Sequence, residues 1–136
     1  MHQTLQPPDW PRPKGYANGI AARGTFVFTA GIVGWNADEV FVAKDLAGQL
    51  EQALLNTVAI LDEAGARPEH IVRMTWYITD KAAYVEHLPE VGAVWRRVLG
   101  KVFPCMACVQ VVALVEDEAK IEIEVTAVIP EEETAP

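Results

Sequence analysis

Apolar and polar positions alternate along this chain in blocks that read as strands and helices. Thr25 to Val33 is rich in Phe and Val and closes on Gly31 and Gly34, a strand pattern. Tyr16 to Ala22 is placed to pair with it as a hairpin, with Arg23-Gly24 at the turn. Leu46, Leu50, Leu54, Thr57, Leu61 and Ala64 then recur at steps of 4, 4, 3, 4 and 3, one stripe of a helix. Asp45 suits its N-cap and Gly65 the position just past its end. Ile71 to Thr79 reads as a strand, with Val72, Met74, Trp76 and Ile78 on one face and Ile71, Arg73, Thr75, Tyr77 and Thr79 on the other. A second helix covers Tyr84 to Leu99, on the stripe Tyr84, Leu88, Val91, Trp95 and Val98, and stops at Gly100. Pro89 conflicts with its first turn and marks an alternative start. Met106 to Val115 is almost wholly apolar, as in a strand buried on both sides. Ala119 to Ile129 alternates cleanly, and the turn Glu116-Asp117-Glu118 predicts that these two strands pair antiparallel.

The order β-β-α-β-α-β-β predicts an α+β fold, a mixed sheet with both helices on one face. The other face would carry Met106, Cys108, Val112 and Leu114 or their neighbours, with no intrachain cover. Association with further copies is the cheapest cover, and a cleft between subunits is then the natural place for a site.

With 136 residues and 51% hydrophobic content, the chain is one ordered domain spanning 1–136. Residues 1–15 read as an irregular arm, because Pro7, Pro8, Pro11 and Pro13 oppose regular structure. Residues 131–136 read as a frayed acidic tail. No apolar run is long enough to span a membrane, and the N-terminus lacks the apolar core of a signal peptide, so the expected compartment is the cytoplasm. The net charge of −8 is a poor match to a phosphate backbone and disfavours nucleic-acid binding, although a local basic patch can survive the global sign.

Candidate chemistry is sparse. Glu122 lies on the polar face of the last strand, beside Glu124; a carboxylate there either positions water and moves a proton or belongs to a solvated face. Tyr16 either contacts a ligand or packs in the first hairpin. Trp35, on the loop after Gly34, either touches a ligand or caps the core. Cys105 and Cys108 are spaced as C-x-x-C, but at the start of a strand they point to opposite faces, so free thiols are expected and no metal site. Three scattered His assemble no nucleophilic triad, and Gly31 to Gly34 fits no phosphate loop.

Gly15-Tyr16, Thr29-Ala30-Gly31, the helix ending Glu63-Ala64-Gly65, the Ile71 to Asp80 strand, Phe103-Pro104 and Ile121-Glu122-Ile123-Glu124 occur in an order and spacing that resembles the RidA/YjgF family. The resemblance covers about residues 12–130. It implies a chorismate-mutase-like α+β fold, a homotrimer with ligand clefts between subunits, and hydrolysis of reactive enamines or imines without a cofactor. It assigns Tyr16, Ala30 and Cys108 to the cleft and Glu122 to the chemistry. The family's Pro-Ala-Arg segment is here Pro104-Cys105-Met106, so Met106 stands where the arginine that grips a substrate carboxylate is expected. Losing a bidentate guanidinium–carboxylate contact costs roughly 2–5 kcal/mol of binding. Met106 points to a ligand with more hydrocarbon or with its anion held elsewhere, such as by backbone amides near Cys108. A 2-aminomuconate-like compound is one such direction. The alternative within the resemblance is a non-catalytic binder of a small metabolite. An endoribonuclease or translation inhibitor, as some relatives are labelled, suits the charge of −8 poorly.

Overall fold

The structure, a computed structural model, describes residues 2–134. In chain order its elements are β1 (Gln3–Leu5), β2 (Gly19–Ala21), β3 (Gly24–Phe28), β4 (Ile32–Val33), α1 (Leu46–Glu63), a 3-10 turn (Pro68–His70), β5 (Ile71–Ile78), α2 (Lys81–Glu86), α3 (Leu88–Val98), β6 (Cys105–Gln110), β7 (Ile121–Pro130) and α4 (Glu131–Thr134). The main sheet runs β3-β7-β5-β6, with β4 also paired to β7. β5 is antiparallel to β7 and parallel to β6, so the α+β class with a mixed sheet holds.

Helix α1 forms where the apolar stripe placed it. Asp45 has extended backbone and its carboxylate accepts the Gly48 N–H at 3.3 Å, satisfying one orphan donor of the first turn. Gly65 ends the helix with φ +75°, a conformation that costs glycine little. Leu46, Leu50, Leu54, Thr57 and Leu61 are buried, whereas Ala64 lies exposed at the C-cap. The second helix is two. Within one continuous helix the Pro89 ring would meet the Val85 carbonyl and leave a hydrogen bond unmade, so the chain breaks at His87 and restarts at Leu88. From α3, Val91 and Val94 enter the core and Leu88 stays exposed. Both α1 and α3 pack on one face of the sheet, against Met74, Trp76 and Ile78 of β5 and Ile121, Ile123, Val125 and Ala127 of β7. A bulge between Ile71 and Arg73 lets Ile71 and Met74 both face inward, where strict alternation had opposed them.

Four expectations about pairing are corrected. First, β2 pairs with β1, so the N-terminal arm is not wholly irregular: Gln3–Leu5 precede the prolines and are free to pair. Second, β3 pairs with β7, not with the Tyr16–Ala22 segment. At Gly24 (φ +151°) a Cβ would collide with the Ile129 carbonyl, so glycine is what admits this close approach. Third, the apolar run from Met106 stops being strand at Gln110. Val111 N–H donates to Ile78 O at 2.8 Å, and the chain then leaves the sheet, with Val112 and Val115 almost fully exposed. No hairpin joins β6 to β7, because β5 lies between them and a three-residue turn cannot span it. Fourth, Met106 and Cys108 face the helices rather than the open face: they sit beside Met74 and Trp76, both core residues.

The uncovered face instead carries Phe26, Phe28, Thr75, Tyr77, Glu122 and Glu124, with Phe28 68% exposed. At the chain's end, Glu131–Thr134 forms a helical turn against β3 and β7 rather than fraying; residues 135–136 of the expected tail lie outside the described residues. Among the described residues no helix is long and apolar enough to cross a membrane.

Candidate functional site

A cavity of about 590 Å³ opens between α3, the start of β6 and the segment before β2. Three sequence-derived candidates line it: Tyr16, Met106 and Cys108. Tyr16 is positioned by its neighbours. Gly15 turns the chain with φ +82°, and Ala17 docks on the edge of β6, donating its N–H to Pro104 O at 3.1 Å and bridging to Cys105. The alternation of β6 brings Met106 and Cys108 to the same side, both half-buried. Cys105 falls on the opposite side, and both thiols are free.

The cavity wall is aromatic. Trp76 stacks edge-on against Tyr84, with ring centroids 6.4 Å apart, and at 5.7 Å from Trp95. Trp95 is fixed by its indole N–H, which donates to Val102 O at 3.2 Å and ties α3 to the approach of β6. The indole N–H of Trp76 is buried and has no acceptor among the described residues. Tyr84 and Cys108 share a hydrogen bond; burial, and then Cys108, push the Tyr84 hydroxyl up to about 12. Burial likewise raises the Cys108 thiol above its ordinary range, with the Tyr84 contact opposing it. Both groups are neutral at physiological pH, so Cys108 is a wall rather than a ready nucleophile.

Glu122 does not line this cavity. It pairs with Tyr77 on the open face, whereas Met106 is on the helix face of the same sheet. A Cβ at Gly31 would collide with the Glu122 carboxylate, so the bare backbone of Gly31 forms its seat. Ala30 is exposed beside that seat, and its carbonyl accepts the Thr29 hydroxyl at 2.8 Å. Trp35 lies elsewhere: its ring packs on Phe41 at 5.7 Å in a second small core cluster, and its carbonyl accepts from Asn56 at 2.7 Å. The core-cap reading of Trp35 is the one its packing fits.

Sequence reasoning did not single out Lys14, Arg96 or Lys101, and read Tyr84 only as part of a helix stripe and Phe103 only as part of a family motif; all five line the cavity. Trp76 and Trp95 read as core from their stripes, and they are, but their rings also form the cavity wall. The charges were hidden because Arg96-Arg97 reads as an ordinary solvated helix face.

Comparison with known proteins agrees with this fold over nearly the whole chain. The sequence model of the family described as Endoribonuclease L-PSP matches residues 11–129. The chain is 32% identical to the 2-iminobutanoate/2-iminopropanoate deaminase of Salmonella typhimurium, over 94% of this chain and 98% of that protein. The identity and coverage are the same for the deaminase of that name in Escherichia coli K12. Among solved structures, the Rid-family protein YyfB of Yersinia pestis superposes with a TM-score of 0.81 at 28% identity, over 94% of this chain and 98% of that one. Escherichia coli TdcF, solved with bound serine, superposes with a TM-score of 0.67 at 28% identity, over 93% and 98%. The chain belongs to the Endoribonuclease L-PSP family, the RidA/YjgF proteins.

Proposed function

We propose that this chain is a cofactor-independent deaminase that hydrolyses an enamine or imine and releases ammonia. The observation that carries the reading is the cavity at Tyr16, Met106 and Cys108, in a chain whose relatives include imine deaminases. Hydrolysis needs a water beside the C=N carbon and a group to take its proton. On the protonated imine, the Glu122 carboxylate accepts a proton as the water oxygen bonds to carbon, giving a carbinolamine. That proton passes to nitrogen; the carboxylate then takes the hydroxyl proton as the C–N bond breaks, and ammonia leaves a carbonyl product. The neutral Tyr84–Cys108 pair keeps the thiol out of this sequence.

Glu122 and the cavity lie on opposite faces of one chain's sheet, so in this mechanism the carboxylate comes from a neighbouring copy. A homotrimer with clefts between subunits supplies that neighbour and covers Phe26 and Phe28. The second reading is a non-catalytic binder of a small metabolite. It is favoured by Met106, which stands where the family resemblance expects an arginine, and by TdcF, which has been solved with serine bound.

The test is ammonia release from a panel of imines generated in place from amino acids by an oxidase. Accelerated release, abolished by Glu122→Gln in a protein of unchanged size, supports the deaminase. Tight ligand binding without acceleration of any imine supports the binder and overturns the enzyme.

A further inference from the structure

Three cations line the cavity, Lys14, Arg96 and Lys101, and no acidic residue does. The chain as a whole has 11 Lys and Arg against 19 Asp and Glu, so this local balance runs against the composition. The cations are also unspent. Arg97, next to Arg96, is held by Glu51 at 2.8 Å, and Lys44 by Glu118 at 3.6 Å. Lys14, Arg96 and Lys101 have no such partner among the described residues. Behind them the wall is Trp76, Tyr84, Trp95 and Phe103. On one chain the open cavity of about 590 Å³ has room for a body larger than a small imino acid. A flat apolar body against the rings, with one anionic end at the cations, matches both halves of the site.

Building on the deaminase reading, we propose that the cavity takes an imino or enamino acid with an aromatic or comparably bulky apolar side chain, its carboxylate held by Arg96 and Lys101 in place of a residue at 106. Lys14 adds to the field at the same cavity. Arg96 is brought to it by the last turn of α3, and Lys101 by Gly100, whose φ of +79° turns the chain out of the helix. Met106, unbranched and apolar, then serves the hydrocarbon part of the ligand.

The probes are stable 2-oxo counterparts, so binding is read apart from turnover. Phenylpyruvate, indole-3-pyruvate, 2-oxobutanoate and the methyl ester of phenylpyruvate are titrated by calorimetry and by quenching of tryptophan fluorescence. The aromatic acids are expected to bind at least about tenfold more tightly than 2-oxobutanoate, through added apolar burial. They are also expected to lose about tenfold or more in the Arg96→Gln/Lys101→Gln double variant, as charge-assisted hydrogen bonds disappear. The ester, lacking the charge, should bind the parent as weakly as the acid binds the double variant. Both substitutions are at exposed positions, and a circular-dichroism melt checks that the fold persists. Equal binding of 2-oxobutanoate, or a double variant that binds the aromatic acids as tightly as the parent, overturns the proposal. Ammonia release is measured alongside. Aromatic binding without release from any imine removes the reaction and leaves the ligand class; release from small imines alone removes the ligand class and leaves the reaction.

Discussion

Met106 and Glu122 lie on opposite faces of one sheet: Met106 sits beside Met74, which faces α1 and α3, and Glu122 sits beside Tyr77 on the open face. Within one protomer the sheet itself stands between the two side chains. Any chemistry that uses both needs two copies.

That arrangement makes a complementation test decisive. Gly92 lines the cavity from α3, and a Cβ there meets only Arg96 Nη1 at 3.8 Å, so Gly92→Trp directs a side chain into open space. This variant should lose activity by blocking the cavity, and Glu122→Gln should lose it by removing the carboxylate. Subunits refolded together at equal ratio should recover about a quarter of the parent rate if each site joins one chain's cavity to its neighbour's carboxylate in a ring of three. Activity is measured by ammonia release, and size by light scattering. No recovery in mixed oligomers, or a monomeric parent, refutes the shared site.

Met106→Arg is the second prediction. The Met106 side chain is half-buried and borders the cavity, so a guanidinium there keeps access to water. It offers small 2-imino acids a bidentate carboxylate contact, and kcat/KM for 2-iminopropanoate should rise at least about tenfold. A folded variant with no gain would refute the account in which residue 106 alone withholds a carboxylate contact from small 2-imino acids.

The third prediction concerns pH. His87 closes α2 and opens α3, and its ring Nδ1 lies 2.8 Å from Ala83 O. The Ala83 carbonyl raises its pKa above the ordinary 6.5; desolvation opposes that rise, and the charges of Glu86, Glu90 and Asp45 add to it. A raised folded pKa means that the protonated ring's contribution is complete below the unfolded value and is lost as pH rises through the folded one. The stability gap between the parent and His87→Gln should therefore be widest below pH 6.5 and close above it. An NMR titration of the ring giving a pKa at or below 6.5 refutes this account.

What the sequence revealed followed from which interaction decided each element. Helix α1, with Asp45 and Gly65 at its ends, is set by local periodicity and capping, and these are written in neighbouring residues. Strand partners are not. Alternation in β7 tells which residues share a face but not that β7 lies between β3 and β5, and the false β6–β7 hairpin came from reading adjacency in sequence as adjacency in the sheet. Apolar content also misled at Val112 and Val115, which are exposed in a loop. At the site, Tyr16 and Cys108 were found through the family resemblance, whereas Lys14 lies some eighty residues from Arg96 and Lys101 in the chain, so the three cations share no local pattern.

Gln49 shows the same limit in the core and supplies the last prediction. It is fully buried on α1, off the apolar stripe. Its Nε2 donates to Glu118 O at 2.9 Å and to Ala43 O at 3.3 Å, and its Oε1 accepts the Lys120 N–H at 2.7 Å. One side chain thus ties the start of α1 to the loop that delivers β7, a join that backbone pairing alone does not make. Gln49→Leu keeps the volume and adds apolar surface, so by hydropathy alone it should stabilise. It also strands one N–H and two carbonyls, each costing about 1–3 kcal/mol if left dry. The orphaned groups outweigh the gain from the leucine, and the net loss should be about 2–4 kcal/mol, read as a lower urea midpoint at unchanged slope. Gln49→Glu should also destabilise, because it keeps the acceptor for Lys120 but loses both donors and buries a carboxylate. If Gln49→Leu melts at or above the parent midpoint, the join between α1 and β7 is carried by packing and not by this amide.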